Sequence, residues 1–158
     1  MESDKLSALD ILVLAVIISL IVLNTLHAVA GLVVLAVVEG RSMLPMYRSG
    51  DIVIVISGTN INVGDVIIYR TCTGKLIIHR VVKILTANGT RYYVTKGDGN
   101  TWIDYHNFID CTTLKPLPGI PEDRVIGKVL KVFGIEIKIP YLGLITIAFN
   151  RLLNSLTS

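Results

Sequence analysis

Charge and aromatic rings are scarce in this chain of 158 residues: Asp, Glu, Lys and Arg make up 17% and Phe, Trp and Tyr 6%. Ile, Val and Leu therefore supply most of the 52% hydrophobic content, more than an ordinary soluble domain carries. The net charge of +3 comes from scattered residues (Lys75, Arg80, Lys83, Arg91, Lys96, Lys115, Arg124, Lys128) that form no dense basic block. That pattern argues against a nucleic-acid interface and is compatible with weak attraction to anionic lipid headgroups. Only two cysteines occur, Cys72 and Cys111, in no C-x-x-C spacing, which argues against a metal or redox motif. Spacing alone leaves their pairing open. No internal repeat or low-complexity segment is present.

What the chain has instead is one long uncharged run. From Ile11 to Val38 there is no Asp, Glu, Lys or Arg across 28 residues. As a single helix this would reach about 42 Å, against a hydrocarbon core of about 30 Å. The excess predicts two elements. Leu9 to about His27 forms a transmembrane helix whose polar exit is Asn24, Thr25 and His27. Gly31 then breaks the run, and the valine-rich LVVLAVVEG reads as a buried strand. Ala28-Val29-Ala30 also looks like a signal-peptide cleavage site, but MESDK is not clearly positive and the apolar run is long, so a retained anchor is expected. Lys5 precedes the helix while Arg41 and Arg48 follow it, so flanking charge assigns no orientation.

Beyond the run, strand-like segments alternate with turn signals: DIVIVIS, VGDVIIYR, KLIIHRVVKIL, RYYVTK, RVIGKVLKVFG and IEIKIP. A mostly β domain, barrel-like or a coiled sheet, is expected over 31–140, after an N-terminal region at 1–30. The tail at 141–158 carries Tyr141, Ile145, Phe149, Leu152 and Leu156 at roughly helical spacing. It reads as an amphipathic helix in the membrane interface, with packing on the domain's own core as the alternative.

For chemistry, the sequence offers Ser42 in EGRSMLPMYRSGD, where the apolar run ends. A serine hydroxyl needs a base to take its proton, usually histidine, and a carboxylate to orient that base. His27 ends the membrane helix, and His106 lies in the polar loop DYHNF. His79 sits in an apolar strand, sharing a face with Ile77 and Val81, where the residues alone favour a core role. Asp98 and Asp104 in KGDGNTWID are the acid candidates. Asp51 and Asp65 each follow a glycine before an apolar run and read as turn residues. No compact ligand spacing for a metal is present.

Taken in order, Ser42-Met43-Leu44-Pro45, Ser49-Gly50-Asp51, Val63-Gly64-Asp65, His79-Arg80-Val81-Val82 and Thr95-Lys96-Gly97-Asp98, with Pro140-Tyr141-Leu142-Gly143 in the tail, resemble type I signal peptidases of the archaeal and endoplasmic-reticulum branch. The resemblance implies a membrane-anchored serine endopeptidase that cleaves signal peptides from exported preproteins, with Ser42 as nucleophile, His79 as general base and Asp104 as acid. Asp98 supports the site or replaces Asp104 as the acid. It further implies no cofactor or metal, and a single-pass location with the domain on the extracytoplasmic side. The implied partners are preprotein signal peptides, membrane lipid and the protein-export machinery. Two departures stand out. The family often has a serine where this chain has Gly40, removing a hydroxyl that helps hold an oxyanion. Tyr105-His106-Asn107 also lacks an arginine often found there. The alternatives are a self-cleaving, repressor-like Ser–Lys peptidase and a catalytically inactive, membrane-tethered β-domain acting as a scaffold.

Overall fold

A computed structural model describes residues 7–30, 34–57 and 60–156. The chain divides into two units, 1–33 and 34–158. In the first, helix α1 runs from Ala8 to Ala30. Asp10 caps its start by accepting from the backbone N–H and hydroxyl of Ser7 at 2.9 and 2.7 Å, satisfying donors left open at a helix N-terminus. Leu9, Leu12, Ile17, Ile21 and neighbouring apolar side chains are exposed. Among the described residues no helix is long and apolar enough to cross a membrane. The membrane-spanning expectation is thus without support from the described residues. The Gly31 break and the first residues of the valine-rich strand lie outside them, as does the amino-terminal MESDK.

The second unit is mostly β. Its strands are β1 (Val34–Val37), β2 (Ile52–Ile56), β3 (Val66–Arg70), β4 (Leu76–Ala87), β5 (Thr90–Lys96), β6 (Ile120–Pro121), β7 (Val125–Val129), β8 (Lys131–Val132), β9 (Ile135–Glu136) and β10 (Lys138–Ile139). Helix α2 (Leu144–Leu156) follows them. The main sheet has the order β1-β2-β7-β3-β4-β5-β6, with β10 also paired to β2, and β8 and β9 form a separate hairpin. Its pairings are all antiparallel.

β3 shows why this sequence curls into a two-sided core. Val66 and Ile68 enter one apolar cluster with Met43, Tyr47, Val53 and Val129. Ile67 and Tyr69 enter a second with Val81, Tyr93, Phe108 and Ile120. Successive side chains of a strand point to opposite faces, so an unbroken VIIY run fits only a strand covered on both sides. β4 alternates in the same way, with Ile77, His79 and Val81 toward the second cluster and Ile78 toward the first. At α2 the apolar residues divide: Ile147 is buried, whereas Leu144, Ile145, Phe149 and Leu153 remain exposed.

The two Gly-Asp turns are built alike. Asp51 Oδ2 accepts from the backbone N–H of Arg48 at 3.1 Å, and Asp65 Oδ2 from that of Asn62 at 3.0 Å. Each carboxylate then receives lysine from a later strand: Lys138 for Asp51 at 2.8 Å, and Lys128 and Lys131 for Asp65, both at 3.0 Å. Burial raises the Asp65 pKa, but the Asn62 N–H and the two ammonium groups outweigh it and hold the carboxyl below its ordinary value. A depressed folded-state pKa gives stability that is full above about pH 4 and is lost as pH falls through the folded value. Asp65→Asn should therefore cost about 1–2 kcal/mol at pH 7. The cost should shrink toward pH 2, which urea unfolding at the two pH values would check.

Candidate active site

The site is assembled from three segments that fold locally for separate reasons. Ser42 lies in the turn after β1, which reverses the chain through a cis Leu44–Pro45 peptide. Two buried side chains of the same turn, Met43 and Tyr47, anchor it in the first apolar cluster. A second turn follows β5 and is closed by the Asn100 N–H donating to Gly97 O at 2.9 Å. The two turns are stitched together where the Gly99 N–H donates to Ser42 O at 2.8 Å.

Gly97 sets the spacing at this seam. A Cβ built there would lie 2.5 Å from Ser42 O and 2.9 Å from His79 Nε2. The carbonyl of Ser42 and the imidazole edge of His79 therefore face each other across the space left by an absent side chain. Gly99 adds to the close approach, since its Cβ would sit 3.1 Å from Leu44 O.

His79 is 6% exposed and Asp104 2%. His79 Nδ1 donates to Asp104 Oδ2 at 2.6 Å. The same oxygen accepts from the Thr95 hydroxyl at 2.7 Å and the Tyr69 hydroxyl at 3.1 Å. Asn107 Nδ2 donates in turn to the Tyr69 oxygen at 3.1 Å. Burial, and next the charge of Asp104, push the Tyr69 phenol above its ordinary pKa, so it keeps its proton and acts as a donor. With Nδ1 committed as donor, a neutral His79 carries its lone pair on Nε2. Among the described residues Nε2 has no hydrogen-bond partner, and no fully buried side-chain nitrogen or oxygen lacks one, so Nε2 is open to solvent. The Ser42 hydroxyl and the Ser42 and Met43 N–H groups likewise make no hydrogen bond among the described residues.

Asp98 occupies a different place. Arg80 binds it through Nε at 2.8 Å and Nη2 at 2.6 Å, a bidentate pair, and reaches Glu136 through Nη1 at 2.8 Å. The hydrogen bonds to Asp98, opposed by burial and aided by Glu136, raise the Arg80 pKa further. Tyr47, its own pKa raised by burial and then by its bond to Glu136, donates to that carboxylate at 2.6 Å. Arg80 follows His79 directly and points to the opposite face of β4, so this network braces the site from behind.

The remaining candidates lie elsewhere. His106 is exposed in a 3-10 turn at Tyr105–Asn107, and the side chain of His27 is outside the described set. Cys72 and Cys111 form a disulfide, fastening the segment after the Asp104 loop to the turn after β3. Among the described residues no group of His, Cys, Asp and Glu is arranged to hold a metal ion. The position that lacks the usual hydroxyl has a physical reason for glycine: Gly40 has φ +103°, although a Cβ there would meet nothing within 4 Å.

Sequence reading passed over Tyr69, Thr95, Asn107 and Glu136. Tyr69 and Thr95 lie in apolar strands and look like core residues. The usable signal was their alternation, since His79 faces the same side of the sheet as both. Tyr69→Phe leaves Asp104 with two of its three donors and Asn107 without its acceptor. The expected result is a roughly five- to thirtyfold lower rate, from the loss of about 1–2 kcal/mol of orienting hydrogen bonds. The pH dependence of the rate should shift alongside, which a mere loss of packing would not produce.

No curated protein matches the chain. Residues 19–95, which include Ser42 and His79 and stop before Asp98 and Asp104, match the family model described as Peptidase S24-like.

Proposed function

We propose that the chain is a membrane-anchored serine endopeptidase that removes signal peptides from exported preproteins. The observation that carries the proposal is the buried Asp104–His79 pair with its free Nε2 opposite the Ser42 turn. In this reading Ser42 Oγ attacks the scissile carbonyl while His79 Nε2 takes its proton, then returns it to the leaving amine. Asp104 holds the tautomer and stabilises the imidazolium. The oxyanion forms beside the unpartnered Ser42 N–H, and water admitted to the same nitrogen hydrolyses the acyl-enzyme.

Peptide specificity and membrane attachment rest on further supports. The matched family includes signal peptidases as well as self-cleaving repressor-type enzymes. Membrane attachment rests on the sequence, in which Ile11 to Val38 carry no Asp, Glu, Lys or Arg. Exposed Ile145, Phe149 and Leu153 suit α2 to the membrane interface, and the Cys72–Cys111 disulfide suits an oxidising, extracytoplasmic side.

The test is to place the full chain in lipid vesicles with a preprotein and sequence the new amino terminus. A single cut after a small residue at the end of the signal peptide is expected. An intact preprotein, or cleavage of the chain itself alone, would reject the reading in favour of a scaffold or a self-cleaving peptidase, respectively.

A further inference from the structure

On the face of the sheet opposite His79 lies an open concavity of about 650 Å³, lined by Met46, Arg80, Val82, Lys96, Asp98 and Lys138 among others. It borders Gly97 and adjoins the Ser42 turn through Pro45 and Met46, although neither Ser42 nor His79 lines it. Three cations and one carboxylate meet there, and most of this charge is already matched. Arg80 is held by Asp98 and Glu136, and Lys138 by Asp51.

Lys96 is different. Among the described residues it is the only half-buried cation with neither a hydrogen bond nor an ion pair; the other unpaired lysines are exposed. It also stands directly across the β4–β5 ladder from Arg80, so two like charges are held side by side. Asp98 and Glu136 already compensate Arg80, which leaves Lys96 as the uncompensated charge of the pair. The apolar walls given by Met46 and Val82 reduce screening and strengthen attraction for an anion.

Resting on the peptidase reading, we infer that Lys96 binds the carboxylate of an Asp or Glu next to the scissile bond. An extended peptide turns successive side chains to opposite faces. When the residue before the cut places its side chain on the His79 face, its two neighbours turn toward the concavity. The acidic residue is therefore the one immediately before or after the residue that supplies the scissile carbonyl.

The experiment uses the full chain in vesicles of neutral lipid and peptides carrying Asp, Asn or Lys at each of those two positions. The wild type should cut the Asp peptide roughly tenfold better in kcat/KM than the Asn peptide, the effect of one charge-assisted hydrogen bond. Lys96→Gln should erase that preference and Lys96→Glu should transfer it to the Lys peptide, each read as the ratio between peptides within one protein. The same ranking in all three proteins would overturn the inference while leaving the peptidase reading standing. If Lys96→Gln instead weakens binding to phosphatidylserine vesicles and leaves the ranking unchanged, the anion is a lipid phosphate and the inference fails. Failure of the wild type to cut any peptide would remove the peptidase reading and this inference together.

Discussion

Ser42→Ala should abolish cleavage, with kcat falling on the order of 10⁶-fold in a peptide assay. No neighbouring group stands ready to replace the hydroxyl. Across the Gly97 gap from the Ser42 turn stands an imidazole whose other nitrogen is committed to Asp104. The variant should fold as the wild type does, because the Ser42 turn is held by its carbonyl and by buried Met43 and Tyr47, none of which the substitution alters. An unchanged Tm together with lost turnover is therefore the expected pair of results. Cleavage persisting within tenfold of wild type would remove Ser42 from the mechanism.

The second large effect separates the two acids. Asp104→Asn should lower kcat by about 10⁴-fold, because an amide lacks the charge that stabilises the imidazolium and can turn its NH₂ toward Nδ1, favouring the wrong tautomer. Three donors converge on Oδ2, so an NH₂ placed there would force His79, Thr95 and Tyr69 to give up the donor roles they hold in the wild type. Asp98→Asn should behave differently. It breaks the bidentate pair with Arg80, which keeps Glu136, and so should cost about 1–3 kcal/mol of stability with less than about tenfold in kcat. Measuring kcat and urea midpoints for both variants decides the assignment. A 10⁴-fold loss in Asp98→Asn with near-normal Asp104→Asn would transfer the acid role to Asp98.

Why the two acids differ could not be read from KGDGNTWID. They are six residues apart, and both follow turn chemistry. Their fates are decided by long-range backbone bonds: Gly99 N–H to Ser42 O fixes the turn that returns Asp98 to Arg80, and Asp104 N–H to Thr95 O at 3.0 Å carries Asp104 back to the strand. The β character was legible because period-2 patterns such as LIIHRVV record the two sides of a strand directly. The face on which His79 lies followed from the same period. Glu136 carried no signal, since its partners Arg80 and Tyr47 are 56 and 89 residues away in sequence. The membrane role of α1 was the plainest inference from composition, and the described residues give it no support of their own.

Gly97 has a consequence for how this sequence can vary. Its φ is not in the left-handed region, so alanine would be acceptable to the backbone and only the volume of one methyl group forbids it. Ahead of that methyl stand a peptide carbonyl, the Asn100 side-chain amide and an anchored ring, of which the carbonyl lies nearest. The position thus works as a gauge block: its thickness, a single hydrogen, fixes the gap between the two halves of the site. A library randomised at residue 97 and selected for turnover would have one solution, and ordinary scales of residue similarity would not foretell it.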